Sequence, residues 1–278
     1  MRNTIDLHLH TVVSDGEITP EDILNCAKEI GLKTISITDH DAIGGYKNFD
    51  SDPIKLAWDM GIRLITGIEL DSDYEDVEIH ILGYEIDLHN EELNNYITGV
   101  HTLRKKRIIE QIEQINNALG EEILNKDEIL IGERDTYMKP HLVRPLLKKG
   151  LFSEYREASK WVSGITKPSV SIPKSTAEDM IGLIKRAGGK AYLAHPGYYV
   201  CDNNLDLDKM LTYFISVGLD GMEVEYPYYN TGVTFRTRES EKEIIKKLGE
   251  KAKKYGLLIS RGSDAHELAQ MKSFHESW

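Results

Sequence analysis

Apolar positions along this chain fall into two rhythms. Residues 5–10, 34–37, 63–66 and 77–82 are short runs of β-branched or alternating apolar residues, the length of strands. Between the first two runs, Ile23, Leu24, Ala27 and Ile30 share one face of a 3.6-residue period. Thr19-Pro20-Glu21-Asp22 starts that helix: threonine is the N-cap, proline takes the first helical position and acids fill the first turn, with Gly31 as the stop. The first 90 residues therefore read as β-α-β-β-β.

From about residue 88 to 188 the texture becomes helical with charged faces; Ile108, Ile112, Ile115 and Leu119 form one apolar stripe. Ser175-Thr176-Ala177-Glu178 has the capping-box pattern and opens a helix through Met180, Ile181 and Ile184 that stops at Gly188-Gly189. Strand-like runs then resume at 190–194, 219–225 and 257–260, with a charged helix over 239–255. Strands alternating with helices imply a parallel sheet, open or closed into a barrel, with chemistry at the carboxyl ends of the strands. The 89–188 segment reads as a mainly helical insertion between 1–88 and 189–278.

Composition narrows the function classes. A chain of 278 residues has room for one large α/β unit with an insertion. It is 40% hydrophobic and 29% charged, and no stretch nears the roughly 18 consecutive apolar residues of a membrane span, so no membrane role is expected. Met1 to Asp6 lead straight into a strand with no apolar signal segment, which predicts a cytoplasmic protein. Cys26 and Cys201 form no C-x-x-C pair, so neither a disulfide framework nor a thiolate zinc site is expected, and both read as buried small hydrophobes. No obligate protein partner is evident. The formal charge of −12 opposes long nucleic acid held in a basic groove. An anionic substrate would need local positive charge, which bound metal can supply.

The candidate ligands are patterned. His8-Leu9-His10 ends the first strand, where residues two apart share a face. Asp264-Ala265-His266 repeats the spacing after the last strand, and Asp15, His40, Glu69, His80 and His195 each lie at or just after a strand run. Alone, each is more often a cap, a solvated acid or a core histidine. Jointly they would gather nitrogen and oxygen ligands at one end of the molecule. By contrast His89, His101 and His275 fall outside the pattern and read as surface or helix histidines; Arg104-Lys105-Lys106-Arg107 reads as a solvated helix face. Tyr226-Pro227-Tyr228-Tyr229 is open between a base-stacking surface and a loop over the core.

These residues carry a resemblance to the PHP (polymerase and histidinol phosphatase) family, and within it to the nucleoside 3′,5′-bisphosphate phosphatase-like branch. The matching motifs, in family order, are Asp6-Leu7-His8-Leu9-His10, Ser14-Asp15-Gly16, Thr38-Asp39-His40-Asp41, Gly67-Ile68-Glu69, His80-Ile81-Leu82-Gly83-Tyr84, Leu193-Ala194-His195-Pro196-Gly197 and Gly262-Ser263-Asp264-Ala265-His266. The resemblance implies a distorted seven-stranded β/α barrel with two or three divalent ions, manganese, iron or zinc. His8, His10, Glu69 and Asp264 would hold one, Glu69, His80 and His195 a second, and Asp15, His40 and His266 a third. Three such ions against the carboxylates Asp15, Glu69 and Asp264 leave a cationic pocket inside an acidic protein.

It further implies a phosphoesterase acting on small phosphorylated substrates, nucleotides foremost, through a metal-bridging hydroxide held by Glu69, Asp264, His195 and His266. Lys139-Pro140-His141-Leu142-Val143-Arg144 resembles the family's substrate-facing Arg-Pro-His segment, which makes Lys139, His141 and Arg144 candidate substrate contacts. Lys139 replaces the usual arginine, and lysine neutralises a phosphate without offering a bidentate fork. Glu267, where relatives often carry glycine, would alter one wall of the pocket. The rival readings are a histidinol phosphate phosphatase and a non-catalytic metal-binding domain.

Overall fold

The computed structural model describes residues 4–47, 52–130, 132, 134–229 and 234–276; the Met1 to Asn3 part of the N-terminal reading lies outside them. Seven strands form one sheet in chain order: β1 (Ile5–Asp6), β2 (Thr34–Ile37), β3 (Arg63–Tyr74), β4 (Val77–Tyr84), β5 (Lys190–Leu193), β6 (Gly221–Glu225) and β7 (Leu258–Arg261). The sheet curls into a nearly closed barrel. Its seam is made by Leu7 N–H on the Arg261 carbonyl (3.0 Å), His10 N–H on the Ala265 carbonyl (3.0 Å) and a bridge between Leu9 and Ala265. Asp6 tightens the seam by accepting from Ser263 N–H at 3.0 Å and pairing with His275 at 2.9 Å.

The distortion is in β4, antiparallel to both β3 and β5 where the alternation predicts parallel neighbours. A short turn at Glu75 and Asp76, both at positive φ, makes β3 and β4 a hairpin, so β4 presents its amino half to the end where the other strands present their carboxyl ends. β1 is shorter than the 5–10 run and β3 longer than 63–66.

The helix α1 (Pro20–Ile30) has the expected caps: Thr19 accepts from Asp22 N–H and Gly31 adopts a left-handed conformation. α2 (Pro53–Asp59), capped by Asp52, has no counterpart in the sequence reading. Between β4 and β5 lie α3 (Glu91–Leu119), α4 (Lys126–Ile129), α5 (Pro140–Lys148), α6 (Tyr155–Ile165) and α7 (Ala177–Arg186). The capping box of α7 is Thr176 with Asp179, one residue on from the Ser175-to-Glu178 pattern. α8 (Pro196–Cys201), α9 (Leu207–Ser216), α10 (Arg238–Tyr255) and α11 (Leu268–Glu276) complete the chain.

Among the described residues three apolar clusters result, the smallest being Leu82, Tyr84, Tyr192 and Ala194 inside the barrel sheet. Ile35, Ile37, Ile68, Leu70, Ile79, Ile81 and Leu193 pack with α1, α7 and α9, and Leu93 and Ile97 at the start of α3 join them. Further along α3, Ile108, Ile112 and Ile115 pack instead against Leu142, Leu146 and Val162 of α5 and α6.

Candidate metal centre

At one end of the barrel the chain turns its polar side chains inward. His8 and His10 follow β1, His40 follows β2 and bridges to Glu69 in β3, His80 lies in β4, His195 follows β5, and Asp264 and His266 follow β7. Glu69 is mid-strand rather than at a strand end, and His80 reaches the same end only because β4 is reversed.

Glu69, 1% exposed, is the hub. Its Oε2 lies 3.1 Å from His8 Nε2, 3.3 Å from His10 Nε2 and 3.3 Å from His40 Nε2; its Oε1 lies 3.0 Å from His80 Nδ1 and 3.3 Å from His195 Nε2. Asp264 Oδ1 lies 2.9 Å from His10 Nε2 and 3.4 Å from His8 Nε2, and Asp15 Oδ1 is 3.1 Å from His266 Nε2. Ligand atoms within 4.8 Å of one another form the sets His8, His10, Glu69, Asp264; Glu69, His80, His195; and His10, Asp15, His40, His266. His40, Asp71 and His80 make a further set, in which Asp71 was not expected. These clusters can coordinate two or three divalent ions.

At His10 and Asp15 the donors fit a cation better than they fit one another, whereas His8, His80 and His195 also reach Glu69 within hydrogen-bonding distance. Both ring nitrogens of His10 and Oδ1 of Asp15 are buried without a hydrogen bond, although His10 Nε2 is within 2.9 Å of a carboxylate oxygen. Buried polar atoms normally find partners, and lone pairs that converge on a common point without bonding each other are a ligand set. Without an ion, protons balance the charge. Burial pulls the pKa of His10 down, but Asp264 and Glu69 outweigh it and raise it to about 10. His8, His40 and His80 are raised in the same way, against burial, by Glu69 first among the carboxylates. Burial alone would raise Glu69, Asp15 and Asp264, yet the surrounding imidazoles hold all three below the ordinary carboxylate range.

The local backbone is built for this approach. Asp41 (φ 44°), His195 (φ 27°) and Asp264 (φ 50°) are non-glycine residues in the left-handed region, a conformation that persists where surrounding contacts enforce it. Gly262 is required by space: a Cβ there would lie 2.2 Å from His8 Cβ. Gly16 is equally confined, 2.6 Å from the His10 carbonyl oxygen.

A supporting layer was missed by the sequence reading. Glu223, fully buried in β6, sits 3.2 Å from His8 Nδ1 and accepts from His195 N–H at 2.9 Å, which leaves His8 Nε2 to face the ligand cluster. Asp71 accepts from His40 Nδ1 at 2.9 Å. Arg104 is buried rather than on a solvated face; its Nη2 donates to Asp71 Oδ2 at 2.7 Å and to Asp41. Burial and Asp71 push Asp41 up to about 7 against the pull of Arg104. Tyr226 donates to Asp264 Oδ2 at 2.7 Å, while Tyr228 is wholly buried in the core, so the aromatic run serves both the centre and packing. The signal for Glu223 was a carboxylate between apolar strand residues Met222 and Val224.

The remaining candidates lie to one side. Lys139 is exposed at the start of α5; His141 is buried; Arg144 donates to the Asp15 carbonyl and pairs with Glu17 at 3.0 Å. Glu267 is exposed, and the cleft of about 560 Å³ beside Asp264 is walled instead by Tyr226, Tyr229, Arg238, His266 and Gln270. His89 is exposed, His101 bonds the Asp135 carbonyl, and His275 is paired with Asp6. Cys26 is buried and Cys201 partly so. Among the described residues no helix is long and apolar enough to cross a membrane.

Known proteins share this architecture. The sequence profile of the PHP domain matches residues 6–169. The 5′-3′ exoribonuclease Rnm of Escherichia coli (strain K12) is 30% identical over 271 residues, covering 94% of this chain and 85% of its own length. The 3′,5′-nucleoside bisphosphate phosphatase of Chromobacterium violaceum is 27% identical over 269 residues, covering 94% of this chain and 87% of its own. A solved structure from Bifidobacterium adolescentis, provisionally assigned as a metal-dependent phosphoesterase, superposes with a TM-score of 0.79 at 28% identity, over 96% of this chain and 89% of that one.

Proposed function

The chain belongs to the PHP domain family, and from that premise we propose that it hydrolyses phosphate monoesters of nucleotides, namely nucleoside 3′,5′-bisphosphates or short 5′-phosphorylated oligonucleotides. At the coarser level it is a metal-dependent phosphoesterase, with clustered histidine and carboxylate ligands in a phosphoesterase fold. The observation that carries the reading is Glu69 facing five imidazoles while His10 keeps both ring nitrogens unbonded. The nucleotide substrate is supported by the E. coli and C. violaceum relatives, which are named for ribonuclease and nucleoside bisphosphate phosphatase activities.

Divalent cations held by His8, His10, Asp15, His40, Glu69, His80, His195, Asp264 and His266 would lower the pKa of water and offset phosphate charge. The chain's own part is placement. In this reading Glu69, Asp264, His195 and His266 would hold the attacking water, while Glu223, Asp71 and Tyr226 orient His8, His40 and Asp264. As the bond from water oxygen to phosphorus forms, the ester P–O bond breaks, and the proton the water sheds is passed through solvent to the leaving alkoxide, so that an alcohol and a phosphate result. Lys139, His141 and Arg144, in the helical segment 89–188, face the rest of the substrate.

Elemental analysis of the purified protein, paired with phosphate release from nucleoside 3′,5′-bisphosphates, 5′-phosphorylated trinucleotides and histidinol phosphate in manganese, tests this. Bound metal with turnover of the nucleotides is expected. Turnover of histidinol phosphate alone would reassign the substrate, and metal without any turnover would leave a binding domain.

A further inference from the structure

We propose that the cleft beside Asp264 is a base-binding subsite, in which Tyr229 and Arg238 stack on the nucleobase of the substrate and Gln270 bonds its edge. This rests on the nucleotide reading above for the identity of the ligand and adds to it the recognition of the uncharged ring.

The cleft, about 560 Å³, is within the size range of small-molecule pockets. Asp264 and His266 line it and also belong to the ligand sets, so a phosphoryl group at the centre and the ring of the same nucleotide can be held side by side. Tyr226 lies between the two: its hydroxyl donates to Asp264 Oδ2 at 2.7 Å, and it also lines the cleft. Lys139, His141 and Arg144 approach from elsewhere. Arg144 pairs with Glu17, whose N–H donates to the His266 carbonyl at 2.8 Å, and none of these three lines the cleft.

One wall is a flat shelf held from behind. The Arg238 guanidinium lies over the Tyr229 ring, 4.5 Å from its centroid. Glu241, on α10 and 1% exposed, accepts from Tyr229 N–H at 3.0 Å and pairs with Arg238 Nη1 at 2.9 Å, so a single buried carboxylate fixes both parts. A glutamate is almost never fully buried unless paired, and among the described residues this one is paired only with the shelf. The pairing also balances the arginine's charge. Arg238 therefore offers the cleft a planar face more than a spare cation, and guanidinium and phenol planes are stacking platforms for bases.

Another wall is α11. There Gln270 Oε1 accepts from His266 N–H at 2.7 Å and from Glu267 N–H at 3.1 Å. Two backbone donors on the oxygen settle the orientation of the amide, and its NH2 has no partner among the described residues. Because Gln270 lines the cleft, that NH2 is a donor for the ring nitrogens and carbonyls at the edge of a base. Recognition by stacking and one amide, without a full set of edge contacts, makes the subsite tolerant of which base it holds.

The test compares adenosine 3′,5′-bisphosphate with its abasic counterpart, methyl riboside 3,5-bisphosphate, on metal-loaded full-length protein. Tyr229→Ala and Arg238→Ala are each expected to raise KM for the adenosine compound about tenfold, the worth of one base stack, and to move KM for the abasic compound far less. Tyr229→Phe, which keeps the ring, should recover most of that loss, and Trp58→Ala, which removes an exposed aromatic ring on α2, should alter neither. Equal effects of Tyr229→Ala on both substrates, or none on either, overturn the proposal. Fluorescence of 2-aminopurine riboside 5′-monophosphate, quenched when its base stacks, separates this from failure of the nucleotide reading. Quenching by wild type that Tyr229→Ala abolishes upholds the subsite even if no nucleotide is hydrolysed; no quenching by wild type, or equal quenching by the variant, refutes it.

Discussion

Single carboxylates divide here into those that face the ligand cluster and those that stand behind it. Asp264→Asn keeps the shape of a ligand and removes its charge, so activity should fall by at least about a hundredfold with loss of bound metal, while the far-ultraviolet circular dichroism is retained. Glu223→Gln acts through His8, and metal affinity should fall by about ten- to a hundredfold without vanishing. Metal content as low as in Asp264→Asn would move Glu223 among the ligands. The facing residues were legible in the sequence because each is a polar residue in or shortly after an apolar strand-like run, even where the structure puts it mid-strand, as with Glu69 and His80. Those behind were not: Glu223 lies inside its strand, and Asp71 lies beyond the point where β3 was expected to stop. Arg104 was hidden in a run of four cations, although it falls one helical repeat before Ile108 on the buried stripe of α3.

Most helices and strands could be placed from periodicity and caps; orientation could not. The β3–β4 reversal comes from a tight turn at Glu75 and Asp76 between two runs whose pattern is the same in either direction. The α7 cap was ambiguous because Ser175 with Glu178 and Thr176 with Asp179 both satisfy the pattern, and the structure uses the second. Coupling between elements is concentrated in Arg104, which ties α3 to Asp41 after β2 and Asp71 in β3. Removing it takes the guanidinium from buried Asp41 and from half-buried Asp71, which keeps its bond to His40, so Arg104→Met should reduce unfolding free energy in denaturant by about 3–5 kcal/mol. Adding Asp41→Asn should recover part of that loss; a double variant weaker than the single would show that the network is not what Arg104 stabilises.

At the scale of the whole molecule, the centre makes stability depend on pH in opposite senses with and without metal. In chelator-treated protein His8, His10, His40 and His80 have raised pKa values. A group raised in the folded state stabilises fully below its unfolded value, 6.5 for imidazole, and loses that contribution as pH climbs to the folded value, about 10 for His10. Glu69, Asp15 and Asp264 are shifted down and stay ionised in both states across that window, so they add no slope. The Tm of metal-free protein should therefore fall from pH 6.5 to about 9, whereas metal binding, which needs deprotonated imidazoles, should strengthen. Thermal melts with and without chelator at the two pH values check this; a Tm of metal-free protein that rises over the interval would refute it.

The seam between β1 and the chain after β7 has a kinetic consequence. A cation shared by His8, His10 and Asp264 would staple the chain after β1 to the chain after β7, and no such contact can exist until β7 has docked. Bound ions should then slow unfolding, and protease digestion that proceeds through it, far more than they hasten refolding. Stopped-flow mixing with denaturant, with and without manganese, reads the two rates separately.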